Sequence, residues 1–158
     1  MRNKIFLLAD DDRDDTEMFS EALAAIDHTI VCHAASDGRE VLDTLEELTT
    51  MPDLIFLDVN MPVMNGWQCL KALKEDDRYN QIPVIIISTS SHERDIEIAS
   101  DLGALCYFTK PHYFHELTRV LKVIVENVGA GLPHALRGSP EAISKFIFGC
   151  FDNKGTRD

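Results

Sequence analysis

Polar and apolar positions along this 158-residue chain alternate between two regimes. Four short, nearly continuous apolar runs, Ile5–Ala9, Leu54–Leu57, Val84–Ile87 and Ala104–Phe108, predict strands buried on both faces. A fifth, Ile30–Ala35, is more mixed and predicts a strand toward a sheet edge. Between the runs, apolar residues recur at helical spacing. Met18, Phe19, Ala22, Leu23 and Ile26 share one face, and Val41, Leu42, Leu45 and Leu48 share another. Asn65-Gly66 opens a third helix from Trp67 to Leu73, and Ser90 with Glu93 reads as the capping box of a fourth, ended by Gly103. Leu117, Val120, Leu121, Ile124, Val125 and Val128 trace a fifth apolar face without a miss.

Strand–helix alternation repeated five times argues for an α/β fold: a parallel sheet with helices on both faces, joined by right-handed crossovers. The common doubly wound order for five strands is 2-1-3-4-5, and such sheets bind ligands beyond the carboxyl ends of their strands. After residue 128 the composition changes. Five of the eight glycines and two of the six prolines lie there, so 1–128 is expected to be one domain and 129–158 an extension. Gly129 to Ser139 reads as a linker, and Ser139-Pro140-Glu141 as a helix start whose apolar face holds Ala142, Ile143, Phe146 and Ile147. With Phe148 and Phe151, that is too much apolar surface to leave in water. The expectation is a short helix docked on its own domain; a partner's surface is the sharper alternative.

Composition narrows the function. A net charge of −12 repels phosphate backbones, and no basic patch is visible, so direct nucleic-acid binding is not expected. The four cysteines, Cys32, Cys69, Cys106 and Cys150, are far apart with no C-x-x-C pair, and read as buried reduced thiols. No apolar run reaches the roughly 18 residues needed to span a bilayer, and no signal-peptide core follows Met1, so no membrane insertion and a cytoplasmic location are expected.

The chemistry gathers at the predicted strand ends: Asp10-Asp11-Asp12 after the first strand, Asp58 after the third, Ser88-Thr89 after the fourth and Lys110 after the fifth. Each has an ordinary alternative. The acidic run could favour a helix N-terminus, Lys110 could cap its strand, and Ser88 could satisfy a loop amide. Asp58 is harder to dismiss, because a carboxylate ending the apolar strand Leu54-Ile55-Phe56-Leu57 costs stability unless solvated, paired or metal-bound. Carboxylates this close need a cation, and Mg²⁺ suits oxygen ligands of this kind. An acidic metal site beside a hydroxyl and a lysine is suited to hold a phosphoryl group, with a carboxylate as nucleophile.

These residues lie in Leu7-Leu8-Ala9-Asp10-Asp11-Asp12, Leu57-Asp58-Val59-Asn60-Met61-Pro62 with Asn65-Gly66, Ile86-Ile87-Ser88-Thr89 and Tyr107-Phe108-Thr109-Lys110-Pro111. From Lys4 to about Asn127 the chain resembles the receiver domain of two-component response regulators, of the chemotaxis-regulator type. The resemblance implies a flavodoxin-like fold and assigns roles. Asp58 matches the phosphoacceptor. Asp11 matches the direct Mg²⁺ ligand, Asp10 the acid reaching the ion through water, and Asn60 a ligand through its backbone carbonyl. Ser88 matches the switch hydroxyl, Tyr107 the switch aromatic, and Lys110 the lysine that binds phosphoryl oxygens. A cis Lys110–Pro111 bond is also implied. Two departures stand out: His112 follows the Lys-Pro pair where Phe is frequent, and Thr89 is bulkier than the usual Ala or Gly beside the switch hydroxyl.

No helix-turn-helix or other output motif follows, so the expectation is a stand-alone receiver. It takes a phosphoryl group from a sensor histidine kinase or phosphotransfer protein, and its helix 4–strand 5–helix 5 surface acts on a downstream protein, with a homodimer as a further outcome. A relay role, handing the group to another histidine, is the alternative. A Mg²⁺-dependent phosphatase is disfavoured because Asn60 stands where its second acid would be. The chain is therefore not expected to turn over an external substrate.

Overall fold

The computed structural model describes residues 2–150. Strands β1 (Ile5–Ala9), β2 (Val31–Ala35), β3 (Leu54–Asp58), β4 (Val84–Ser88) and β5 (Cys106–Thr109) alternate with helices α1 (Arg13–Ile26), α2 (Gly38–Glu47), α3 (Gly66–Glu75), α4 (Glu93–Asp101) and α5 (Phe114–Asn127). The strands pair in parallel in the order β2-β1-β3-β4-β5, the flavodoxin-like arrangement expected from the sequence.

The apolar runs become strands because helices cover both faces of the sheet. Every residue of β3 and β4 is buried, whereas β2 begins with the exposed Val31. The strand period of two sends alternate residues to opposite faces. Phe6, Leu8, Phe56, Ile85 and Phe108 pack with Phe19 and Leu23 of α1 and Leu117, Leu121 and Ile124 of α5. Leu7, Ile55, Leu57 and Ile86 pack with Val41 and Leu45 of α2, Leu70 and Leu73 of α3 and Ala99 of α4. The sheet's carboxyl edge is thereby held between two packed layers.

Caps start the helices that flank this edge. Asp12 caps α1 by accepting from the Asp15 amide, and Asn65 and Gln68 form a full capping box at α3. The capping box expected at Ser90 and Glu93 does not form. His92 is the N-cap of α4, and the Ser90 hydroxyl instead accepts from the His92 amide and donates to Asp95 at 3.2 Å. Gly103, at φ 96°, does follow the end of α4.

Beyond α5 the structure departs from expectation. The segment read as a linker contains helix α6 (Leu132–Arg137), with Leu132 and Leu136 buried against the α1/α5 side of the core. The helix expected after Ser139 is only the four-residue α7 (Glu141–Ser144), with Pro140 as its N-cap. Ile147 and Phe148 then form β6, antiparallel to β5. Free backbone groups on the β5 edge capture this segment, a long-range pairing that outweighs its helical spacing. Phe151 lies outside the described residues. Among the described residues no helix is long and apolar enough to cross a membrane.

Candidate functional site

Asp10 directly follows β1; its amide donates to the Ala35 carbonyl and its side chain, in a residue 5% exposed, turns inward. One Asp10 oxygen accepts the Asp12 amide at 2.9 Å, fixing the bend into α1 and leaving Asp11 exposed. Asp58 closes β3 and is 7% exposed. Among the described residues, Asp10, Asp11 and Asp58 each bring a carboxylate oxygen within 4.8 Å of the others. Asn60, two residues beyond Asp58, is exposed.

Lys110 reaches into this group from the end of β5. Its amide donates to the Ser88 carbonyl at 2.8 Å, extending the β4–β5 ladder and aiming the side chain across the edge. Nζ then donates to Asp10 at 2.8 Å, Asp15 at 3.0 Å and Asp58 at 3.3 Å. Asp15 is the site residue that sequence reasoning missed. The available signal was its place three residues after the N-cap Asp12, which turns the first turn of α1 toward the site.

Charge and burial oppose each other here. Burial pushes the Asp58 carboxyl up to about 7; Lys110 pulls it back and Asp10 pushes it further. For Lys110, burial works against the charge, but hydrogen bonds to Asp10 and Asp15 and the charges of Asp58 and Asp10 outweigh it, and its pKa is raised. Four acids around one lysine leave an excess of negative charge. Hard oxygen donors crowded this closely are the donor set that fits a divalent cation such as Mg²⁺.

The switch candidates are adjacent. Ser88 ends β4, is 3% exposed, and its hydroxyl accepts the Ser90 amide at 3.1 Å. Tyr107 is wholly buried and donates its hydroxyl to the Ser90 carbonyl at 2.8 Å, so both residues hold the same β4–α4 loop. Thr89, which follows Ser88, is exposed. Below Asp58 the chain turns sharply: the Met64 amide donates to the Pro62 carbonyl at 2.6 Å around Val63, whose φ is +64°. A β-branched residue in that region is strained. The Lys110–Pro111 bond is trans, not cis as the resemblance implied; no described peptide bond is cis. Trans is the ordinary isomer even before proline.

The family model for the response regulator receiver domain matches residues 6–122. The chain belongs to that family. Its receiver is 30% identical to response regulator Rcp1 of Synechocystis sp. over 128 residues, covering 77% of this chain and 86% of Rcp1. Against the transcriptional regulatory protein CpxR of Escherichia coli the identity is 37% over 123 residues, and the chain spans only 49% of that relative's length. Among solved structures, the phosphorylated cyanobacterial phytochrome response regulator RcpA superposes with a TM-score of 0.74 at 33% identity, covering 80% of this chain and 94% of that one. The Mn²⁺-bound form of Rcp1 superposes with a TM-score of 0.68 at 27% identity, over 77% and 91% of the two chains.

Proposed function

We propose that this receiver accepts a phosphoryl group on Asp58 from a sensor histidine kinase or phosphotransfer protein, and that the event changes the surface formed by α4, β5 and α5. One observation carries the reading: a buried carboxylate at the end of β3 faces a lysine amine at 3.3 Å, with two further acids within 4.8 Å. A lone pair of an Asp58 oxygen attacks phosphorus as the P–N bond of the donor's phosphohistidine breaks, and the departing imidazole keeps the bonding electrons and takes up a proton. Lys110 releases Asp58 and binds the phosphoryl oxygens, while the Ser88 hydroxyl turns toward them from its bond with the Ser90 amide. Asp10, Asp11, Asp58 and the Asn60 carbonyl would hold Mg²⁺, which supplies charge neutralisation to the transferring group. Loss of the Ser88 bond loosens the loop that Tyr107 also holds, and this carries the change to α4.

Such a receiver catalyses its own phosphorylation and dephosphorylation and turns over no external substrate. The match to 86% of Rcp1 supports a chain whose output is its own surface acting on a downstream protein in the cytoplasm. The phosphorylated state of RcpA and the metal-bound state of Rcp1 support the chemistry by analogy. The test is incubation with acetyl phosphate with and without Mg²⁺, followed by intact-mass measurement. One added phosphoryl group is expected, only with Mg²⁺, and absent in Asp58→Asn. Labelling of that variant at Ser88 or a histidine would overturn the mechanism.

A further inference from the structure

All four cysteines are free thiols, yet two of them meet. Cys106 belongs to β5 and Cys150 follows β6, and the Cys106 thiol donates to the Cys150 sulfur at 2.8 Å. Both are buried, 0% and 6% exposed, on the α1/α5 side of the sheet. Regular pairing does not produce this contact. The register Tyr107↔Phe148 and Phe108↔Ile147, carried one step on, sets Gly149 across from Cys106 and would send Cys150 to the other face. Gly149 has a φ of +52°, a left-handed turn that glycine adopts without penalty, and there the chain leaves the ladder so that Cys150 comes back onto Cys106. Cys32 and Cys69 are placed differently, in β2 and in α3, where the Cys69 thiol bonds the Gly38 carbonyl.

We propose that Cys106 and Cys150 are a redox pair, which a peroxide oxidises to an intrachain disulfide that staples β6 to β5. A disulfide bond is about 2.05 Å long, so the sulfurs must close less than roughly 1 Å. The hydrogen bond to Cys150 and burial push the Cys106 thiol up, and it keeps its proton. Cys150 is the first to meet the oxidant, through opening of a strand only two residues long. Its sulfur attacks one peroxide oxygen, the O–O bond breaks, and sulfenic acid and water form. The Cys106 sulfur then displaces that hydroxyl as a second water, taking up the thiol's proton. Two thiols lose two electrons and one peroxide gains them; a dithiol reductant reverses the exchange. The staple pins β6 along the strand that carries Tyr107 and leads to Lys110, so the oxidised chain keeps its β5 edge covered.

Peptide mapping of the reduced full chain after stoichiometric hydrogen peroxide tests this directly. The intact mass is expected to fall by two hydrogens, with two of the four cysteines still alkylated under denaturing conditions and a reducible link joining the peptides of Cys106 and Cys150. The thermal midpoint of the oxidised chain should rise by roughly 5–10 °C, and this gain should vanish in Cys106→Ser and Cys150→Ala. Four alkylatable thiols after treatment would overturn the proposal. So would a link through Cys32 or Cys69, a link between two chains, or oxidation that stops at sulfinic acid on Cys150. The wild-type map needs neither variant to fold, and it does not depend on Asp58 being phosphorylated.

Discussion

Lys110 organises the site at the level of single residues, because one amine satisfies Asp10, Asp15 and Asp58 together. Burial works against the charges of the acids while Lys110 works for them, so the acids are held in a tense balance. Asp58 makes the tension measurable. Its carboxyl is raised from an ordinary 3.8 to about 7, so the native state favours the protonated form. The contribution to stability is full below pH 4 and is lost as pH rises through about 7. In EDTA, Asp58→Asn is therefore expected to stabilise the chain at pH 8 by about 1–3 kcal/mol, with the gain shrinking toward zero near pH 4; urea unfolding at both values checks it. Exposed Asp11 owns the open side of the cluster, and Trp67, one residue into α3, lies close in sequence to the site loop and is the only tryptophan. A Mg²⁺ titration followed by Trp67 fluorescence should saturate in the wild type and weaken at least tenfold in Asp11→Ala; equal curves would reassign the ligand.

At the level of elements, the carboxyl end of β3 depends on how closely α3 approaches it. A Cβ on Gly66 would lie 2.3 Å from the Asp58 carbonyl oxygen and 2.9 Å from the Val59 Cα, both backbone atoms that cannot swing away. Gly66→Ala must push α3 off β3 or bend the Asp58 loop, and we expect a loss of about 1–3 kcal/mol with slowed acetyl-phosphate labelling, measured by urea unfolding and intact mass. That Asn65-Gly66 opens a helix was legible in the sequence; that the glycine is needed for contact with Asp58 was not, since the contact spans the β3–α3 turn in space. The same division runs through the fold. β3 and β4 read clearly because burial on both faces leaves a continuous apolar run, and α5 because Leu117, Val120, Leu121, Ile124 and Val125 recur at helical spacing and are all buried. Ser90 misled because local spacing fits a cap while Asp95 and Tyr107 compete for the same loop. Ile143, Phe146 and Ile147 fit a helical face equally well, and only the open edge of β5, about 40 residues away, decides that Ile147 becomes strand. Site residues at strand ends were visible from the topology rule; Asp15 was hidden among five aspartates between positions 10 and 15, where only the cap geometry selects the one that faces Lys110.

Over the whole molecule, the segment after α5 closes a surface that the receiver would otherwise leave open. Leu132 and Leu136 are buried beside α5, the Thr109 amide donates to the Phe146 carbonyl at 2.8 Å, and Lys145 lies 3.5 Å from Glu116. The ion pair is half-exposed and long, and adds little, so the apolar contacts carry the docking. Truncation after Val128 removes them and uncovers the β5 edge. Two leucines at about 1.5–3 kcal/mol each, offset by the ordering of a short segment, give an expected destabilisation of about 2–5 kcal/mol in urea unfolding. Asp58 and Lys110 keep their strands, so acetyl-phosphate labelling of the truncated chain should persist. An open edge is also a template for pairing, and light scattering should show association that rises with concentration; if the proposed switch acts on the surface of α4, β5 and α5, that association should also differ with and without phosphodonor. A truncated chain as stable as the full one and unchanged in assembly would mean that the segment packs without holding anything in place.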